Sequence, residues 1–154
     1  MKRLFFFLVF SLFSSPCFAE VFQCGTNQLS IRVDVPSYWK YAPTDTGCKF
    51  SSQKNHSDFI SIMSYPNFPG SPQQLANAHI NGMKQGEAFS ATGDPIVYHD
   101  FDNLGDTCVI HASVLDTPVK FIFSKIQNSI VIIQTGGDNY KELEKIIDSI
   151  EFSN

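Results

Sequence analysis

Four β-rich segments in the second half of this 154-residue chain constrain the fold more than any other feature of the sequence. They occupy residues 96–102, 107–115, 119–126 and 129–135. Each is rich in β-branched and aromatic residues, and the short polar linkers between them are typical of β-hairpins. Strands joined by such short linkers must be antiparallel neighbours. The sequence therefore predicts a four-stranded antiparallel meander.

Apolar residues on both faces of this meander predict that both faces are covered. A turn at Asp116 and Thr117 is expected between the second and third strands. The expected cross-strand pairs on one face are Val114–Val119, Ala112–Phe121, Ile110–Phe123 and Phe101–Cys108. The other face carries Val109, Ile122, Ile126, Val131 and Ile133. A sheet of this kind needs packing partners on both sides.

Two helices and an N-terminal aromatic loop are available to cover the sheet. Ser71 is predicted to cap the first helix, with Pro72 at its first position and Gln74 completing a capping box. The second helix has an apolar stripe at Tyr140, Leu143, Ile146, Ile147 and Ile150. The predicted fold class is α+β: an αβα sandwich with a mostly antiparallel sheet, a C-terminal strand meander and two main helices.

The first nineteen residues have the three parts of a secretory signal peptide. Lys2 and Arg3 precede an apolar run of about ten residues, and a region with small residues that is suited to cleavage follows and ends at Ala19. The run is about half the length of a membrane-spanning helix, so a membrane anchor is disfavoured. Cys17 raises the alternative of a lipoprotein, but its neighbours depart from the lipid-attachment pattern. We expect residues 1–19 to be a signal peptide and residues 20–154 to be a single domain, periplasmic or secreted.

The charge of the predicted mature domain argues against two classes of partner. Loss of Lys2 and Arg3 lowers the net charge from −4 to about −6. The remaining basic residues are scattered along the chain, which disfavours nucleic acid and anionic lipid as partners. After signal cleavage no transmembrane segment is predicted.

Three cysteines remain in the predicted mature domain, and an oxidising compartment favours a disulfide between two of them. Cys24 and Cys48 both lie in the N-terminal strand region, whereas Cys108 lies on the apolar face of the meander. We therefore expect a Cys24–Cys48 disulfide and a free Cys108. No CxxC motif is present, so a thioredoxin-like redox site and a zinc site are not expected.

The order of the predicted elements and two short motifs resemble the PsbP-like family. The motifs are Val35-Pro36-Ser37-Tyr38-Trp39, after an early strand, and Ile147-Asp148-Ser149-Ile150-Glu151-Phe152, at the end of the closing helix. The same fold includes a Ran-binding nuclear import factor and many small exported bacterial proteins. The resemblance implies an αβα sandwich that acts as a binding or assembly factor, and it carries over no catalytic residue.

One polar face of the meander is the only candidate for catalysis. Tyr98, Asp100, Asp102 and His111 are expected to share it, with Asp100 placed to orient His111 as a general base. Cys108 points to the opposite face from His111, so a cysteine nucleophile is disfavoured. Residues 100–106 are similar to a calcium loop but lack required oxygen ligands. No metal and no cofactor are expected.

Three aromatic residues in the segment 36–43 are the best candidates for binding. Tyr38, Trp39 and Tyr41 lie between Pro36 and Pro43 in a predicted loop, where Trp39 covers the sheet or belongs to a contact surface. The sequence thus predicts an exported, non-enzymatic binding or assembly module that contacts another protein. The alternative is a small periplasmic hydrolase that uses the Asp100/His111 face.

Overall fold

A computed structural model describes residues 19–26, 29–90 and 92–153. Apart from Ala19, the predicted signal peptide lies outside the described residues. The strands are β1 (Ala19–Thr26), β2 (Leu29–Pro36), β3 (Trp39–Thr44), β4 (Gly47–Ser52), β5 (Phe59–Pro66), β6 (Val97–Asn103), β7 (Thr107–Val114), β8 (Thr117–Ile126), β9 (Ser129–Gly136) and β10 (Glu151–Ser153). The helices are α1 (Pro72–Lys84) and α2 (Tyr140–Asp148).

The strands form two antiparallel sheets. The large sheet has the order β3-β4-β5-β9-β8-β7-β6, and the small sheet has the order β1-β2-β10. Strands β6 to β9 are consecutive neighbours, which confirms the predicted C-terminal meander. The α+β class is confirmed as well, with one difference in the layers: a second sheet helps to cover the first.

Helix α1 covers one face of the large sheet. Ser71 caps it through a complete capping box with Gln74, and Pro72 begins the helix, as predicted. The helix packs against β6, β7 and β8. The buried core on this side contains Ala76, Ile80, Met83, Ile96, Cys108, Ile110, Ala112, Val119, Phe121, Phe123, Ile130 and Ile132.

Helix α2 and the small sheet cover the other face. Their core contains Leu29, Ile31, Val33, Val35, Trp39, Cys48, Phe50, Ile60, Ile62, Val131, Ile133, Leu143 and Ile146. The sequence predicts that the two helices and the N-terminal aromatic loop cover the faces of the sheet. Strand β2 supplies much of the cover instead, because its alternate residues are buried against the large sheet.

Strand β9 is the one strand that joins the two halves of the large sheet. It pairs with β5 on one side and β8 on the other. Ile130 and Ile132 enter the α1 core, whereas Val131 and Ile133 enter the α2 core. Four consecutive apolar residues are therefore buried, as expected of a strand covered on both faces.

In the β7–β8 hairpin each side chain lies on the predicted face of the sheet, but the register of the two strands differs from the prediction. Its two-residue turn is Leu115-Asp116, and both residues have positive φ, 46° and 65°. Positive φ at both positions is the geometry of a type I′ turn, whose twist matches that of the strands. The predicted register is therefore wrong by two residues: Ala112 lies opposite Val119, and Ile110 lies opposite Phe121. A shift of two residues leaves every side chain on its predicted face.

A disulfide between Cys24 and Cys48 joins the two sheets, as predicted, with an S–S distance of 2.10 Å. Cys24 lies on β1 of the small sheet, and Cys48 lies on β4 of the large sheet. Cys108 is free and buried, also as predicted. Burial raises the pKa of the Cys108 thiol, because the apolar surroundings disfavour the thiolate.

Asp58 is a buried carboxyl group, 1% exposed, that ties β5 to the start of α2. Its Oδ1 accepts hydrogen bonds from the Asn55 side chain at 2.9 Å, the Asp138 N–H at 3.1 Å and the Asn139 N–H at 3.4 Å. Asn139, the N-cap residue of α2, makes no side-chain cap of its own. Asp58, in the loop before β5, instead binds the N–H groups of the two residues that precede α2 and places a carboxylate near the N-terminus of the helix. Gly137 has φ of 133°, and a Cβ there would collide with the Asp58 carboxyl.

No helix in the described part of the chain has the length and apolar character needed to cross a membrane.

Candidate functional site

The predicted aromatic loop is a tight turn followed by a strand. Only Ser37 and Tyr38 separate β2 from β3, so Trp39 and Tyr41 are strand residues. The expectation of a loop over 36–43 is wrong, because residues 39–44 pair with β4 in regular register. The turn carries the chain from the small sheet to the large one.

Trp39 points into the core, where it is 4% exposed. Its Nε1–H donates a 2.8 Å hydrogen bond to Glu142 Oε1 on α2. The Tyr38 hydroxyl donates to the other carboxylate oxygen of Glu142. One carboxylate on α2 thus holds two neighbouring aromatic residues, and Trp39 is not available to a partner.

Tyr41 and Tyr38 are both half buried and lie in different surroundings. The Tyr41 ring stacks on Phe22 with a centroid distance of 5.0 Å, and it contacts Phe50 at 5.5 Å. Tyr38 lies at the surface beside α2. The structure therefore separates the three predicted binding residues and leaves Tyr38 as the one that lines a groove.

This groove, called here the Tyr38 groove, lies between the β2–β3 turn and α2 and has a volume of about 450 Å³. The residues that line it are Asp34, Pro36, Tyr38, Asn139, Lys141, Glu142, Lys145, Ile146 and Ser149. The aromatic wall is Tyr38, and the polar wall is α2. A groove of this size with apolar and polar walls is suited to holding side chains of another molecule.

The Tyr38 groove is lined by two lysines and two carboxylates. Lys141 and Lys145 line it, and within the described residues neither lies within ion-pair distance of a carboxylate. Lys54 Nζ lies 3.5 Å from the centroid of the Tyr38 ring, in cation–π geometry. Asp34 and Glu142 also line the groove, but Asp34 lies 3.9 Å from Arg32. Glu142 accepts hydrogen bonds from Tyr38 and Trp39. Lys141 and Lys145 are therefore the groove charges available to attract an anionic group.

The polar face of the meander differs from its prediction because β6 contains a β-bulge at His99. The register changes between Tyr98 and Asp100, so Tyr98 lies opposite Ala112 and packs against the α1 core. Asp100 and Asp102 remain on the face of His111. The expectation that all four residues share one face is thus wrong for Tyr98, since the extra residue of a bulge reverses the alternation of side chains.

Two hydrogen-bonded pairs lie on this face. His111 Nε2 is 3.1 Å from Asp102 Oδ2, so the carboxylate partner of His111 is Asp102, whereas we expected Asp100. His99 Nε2 is 2.8 Å from Ser113 Oγ, a contact that the sequence did not indicate. Both histidines and Ser113 line an open groove of about 320 Å³ with Lys120 and Tyr140.

These two pairs do not form a catalytic triad. A hydroxyl nucleophile needs a base that is itself oriented by a third group. Ser113 contacts His99, but the carboxylate contacts His111, and among residues 19–26, 29–90 and 92–153 no carboxylate bonds to His99. The face is also open to solvent, with the His111 side chain 40% exposed. The geometry therefore gives the hydrolase alternative little support.

The described residues contain no group of three or more His, Cys, Asp or Glu arranged to hold a metal ion.

Comparisons with known proteins identify the fold. No protein family and no curated protein matches the sequence. The structure, however, is similar to the solution structure of cyanobacterial PsbP (CyanoP) from Synechocystis sp. PCC 6803, with a TM-score of 0.60. The match covers 88% of this chain and 94% of that chain at 8% sequence identity. The chain therefore has a PsbP-like fold, as its motifs predicted.

Proposed function

We propose that this protein is an exported, non-enzymatic module that binds another protein through the Tyr38 groove. The observation that carries the proposal is the PsbP-like fold, whose resemblance implies a binding or assembly factor. The Cys24–Cys48 disulfide supports export, because disulfides persist in oxidising compartments. The N-terminal segment supports it independently.

The chemistry of the groove specifies the kind of partner. Lys141 and Lys145 are one helical turn apart on α2, so their ammonium groups face the same side. Tyr38 offers an aromatic wall next to them and is itself fixed by its hydrogen bond to Glu142. We therefore propose that the groove binds an acidic segment of a partner protein that also carries an apolar or aromatic side chain. A fixed aromatic residue favours such binding, because little conformational entropy is lost.

Reversing the two lysine charges of the groove is expected to weaken capture of the partner. The double variant Lys141→Glu, Lys145→Glu would replace attraction by repulsion in the groove, and we expect at least about a tenfold loss of captured partner. The measurement is quantitative mass spectrometry after cross-linking of the tagged, exported protein in its native compartment. Lys125, an exposed residue on β8, provides a control for charge reversal outside the groove as Lys125→Glu.

The two outcomes of this experiment are distinct. Loss of one acidic partner in the double variant, with the partner retained by Lys125→Glu, would support the groove. An unchanged set of cross-linked proteins, with the melting temperature of the variant also unchanged, would exclude it as the contact surface.

Cleavage after Ala19 is expected on export. The intact mass of protein recovered outside the cytoplasm should correspond to a chain that begins at Glu20 and is two hydrogens lighter because of one disulfide. A variant that lacks residues 2–19 is the control and should stay in the cytoplasm. Recovery of exported protein that retains Met1 would contradict the predicted signal peptide.

A further inference from the structure

The two edges of the large sheet differ in how well they resist pairing with another strand. The edges are β3 and β6, and within the described residues each has one neighbour in the sheet. Strand β3 contains Lys40 and Pro43, which are two of the devices that protect an edge from further pairing. Strand β6 contains no Lys and no Pro. The β3 edge is thus protected by Lys and Pro, whereas the β6 edge is interrupted by the bulge at His99 and carries acidic side chains after it.

The last part of β6 is regular enough to receive a strand. After the bulge at His99, residues Asp100 to Asn103 pair with β7 without interruption. The Phe101 N–H donates to Asp100 Oδ1 at 2.8 Å, which marks this amide as one that faces away from β7. The carbonyl of an added strand would replace that local acceptor.

The side chains around this stretch specify what an added strand would carry. Asp100 and Asp102 are exposed on one face, and Phe101 is half buried on the other. Val97, the first residue of β6, and Leu104, the residue after it, are 50% and 69% exposed and lie on the same face as Asp100 and Asp102. The apolar side chain on the opposite face is Phe101. A strand with basic residues on one face and apolar residues on the other would complement both faces.

A second copy of this chain is a poor candidate for this position. Antiparallel pairing of two β6 strands about Phe101 would place Asp100 of each copy beside Asp102 of the other. Like charges directly opposite each other destabilise a sheet. The charge pattern therefore favours a different, basic partner.

We propose that β6 binds an extended segment of another protein, alternately basic and apolar, as an additional antiparallel strand. Main-chain hydrogen bonds would supply the affinity, and Asp100 and Asp102 would select the basic side chains. This surface lies at the opposite edge of the sheet from the Tyr38 groove. Its test is therefore independent of the groove and of its acidic partner.

The test uses the mature protein and a labelled peptide of about seven residues in which lysine and valine alternate, which is the length of β6. Fluorescence anisotropy measures the affinity, and amide chemical shifts locate the peptide. The double variant Asp100→Lys, Asp102→Lys is expected to weaken binding by about tenfold or more. The double variant Asp45→Lys, Asp148→Lys makes the same change in net charge elsewhere and should bind nearly as well as the wild type.

A second peptide tests the pairing without altering the protein. Methylation of alternate backbone nitrogens removes the donors that strand pairing requires and keeps all the charges, so this peptide should fail to bind. Equal affinity for the two peptides, equal effects of the two double variants, or no binding at millimolar peptide would each overturn the proposal. Dimerisation of the wild type that is lost in Asp100→Lys, Asp102→Lys would overturn it in favour of a second copy.

Discussion

Replacing Trp39 with alanine is expected to lower the free energy of unfolding by about 3–5 kcal/mol. The indole is 4% exposed and packs in the core between the large sheet, β2 and α2. Its removal would leave a cavity and would also take one hydrogen-bond donor from Glu142. Urea denaturation of the mature, oxidised protein, followed by far-ultraviolet circular dichroism, measures the change.

Two further variants separate the contributions of Trp39. Trp39→Phe keeps an aromatic ring in the core but loses the Nε1–H bond to Glu142 and part of the buried volume, so it should cost less than Trp39→Ala, about 1–3 kcal/mol. Phe89 is 58% exposed, and Phe89→Ala should change stability by less than about 0.5 kcal/mol. A Trp39→Ala protein as stable as the wild type would mean that the indole is not in the core.

Replacing Asp58 with alanine is expected to cost about 3 kcal/mol. The substitution would leave three partly buried donors without their acceptor: the Asn55 side-chain amide and the N–H groups of Asp138 and Asn139. It would also remove the Asp58 carboxylate, whose negative charge interacts favourably with the positive end of the α2 helix dipole. The same denaturation experiment measures the loss, and the start of α2 should become less protected against proteolysis.

A milder substitution is Asp58→Asn, which keeps an acceptor oxygen in the same place. It should therefore be more stable than Asp58→Ala and less stable than the wild type. Asp45 lies exposed in the β3–β4 turn, so Asp45→Ala is the control and should cost less than about 0.5 kcal/mol. A similar small effect for Asp58→Ala would show that solvent or another side chain satisfies the donors.

Features that depend on neighbouring residues were predictable from the sequence. The capping box at Ser71 follows from local hydrogen bonding, and the meander follows from alternation and short linkers. The Cys24–Cys48 pair was also predictable, because the facing argument placed Cys108 on the apolar side of its strand. The first two patterns lie within a few residues or one hairpin, whereas the disulfide, which joins the two sheets, was reached by excluding Cys108.

Features that depend on a single irregular residue or on distant pairing were not predictable. The bulge at His99 moved Tyr98 to the other face and brought His99 to Ser113, and no residue pattern marks it. Leu115 adopts positive φ, which its side chain disfavours, so the type I′ turn was misplaced by one residue. The small sheet needs β10 to pair with β2 across most of the chain, which alternation alone does not reveal.

The position of β9 has a consequence for cooperativity. The two cores lie on opposite faces of one sheet. Here alternate residues of a single strand belong to each core, so loss of β9 from either side removes side chains from both. The α1 layer and the α2 layer thus depend on the same backbone hydrogen bonds, and the domain should unfold in a single all-or-none transition.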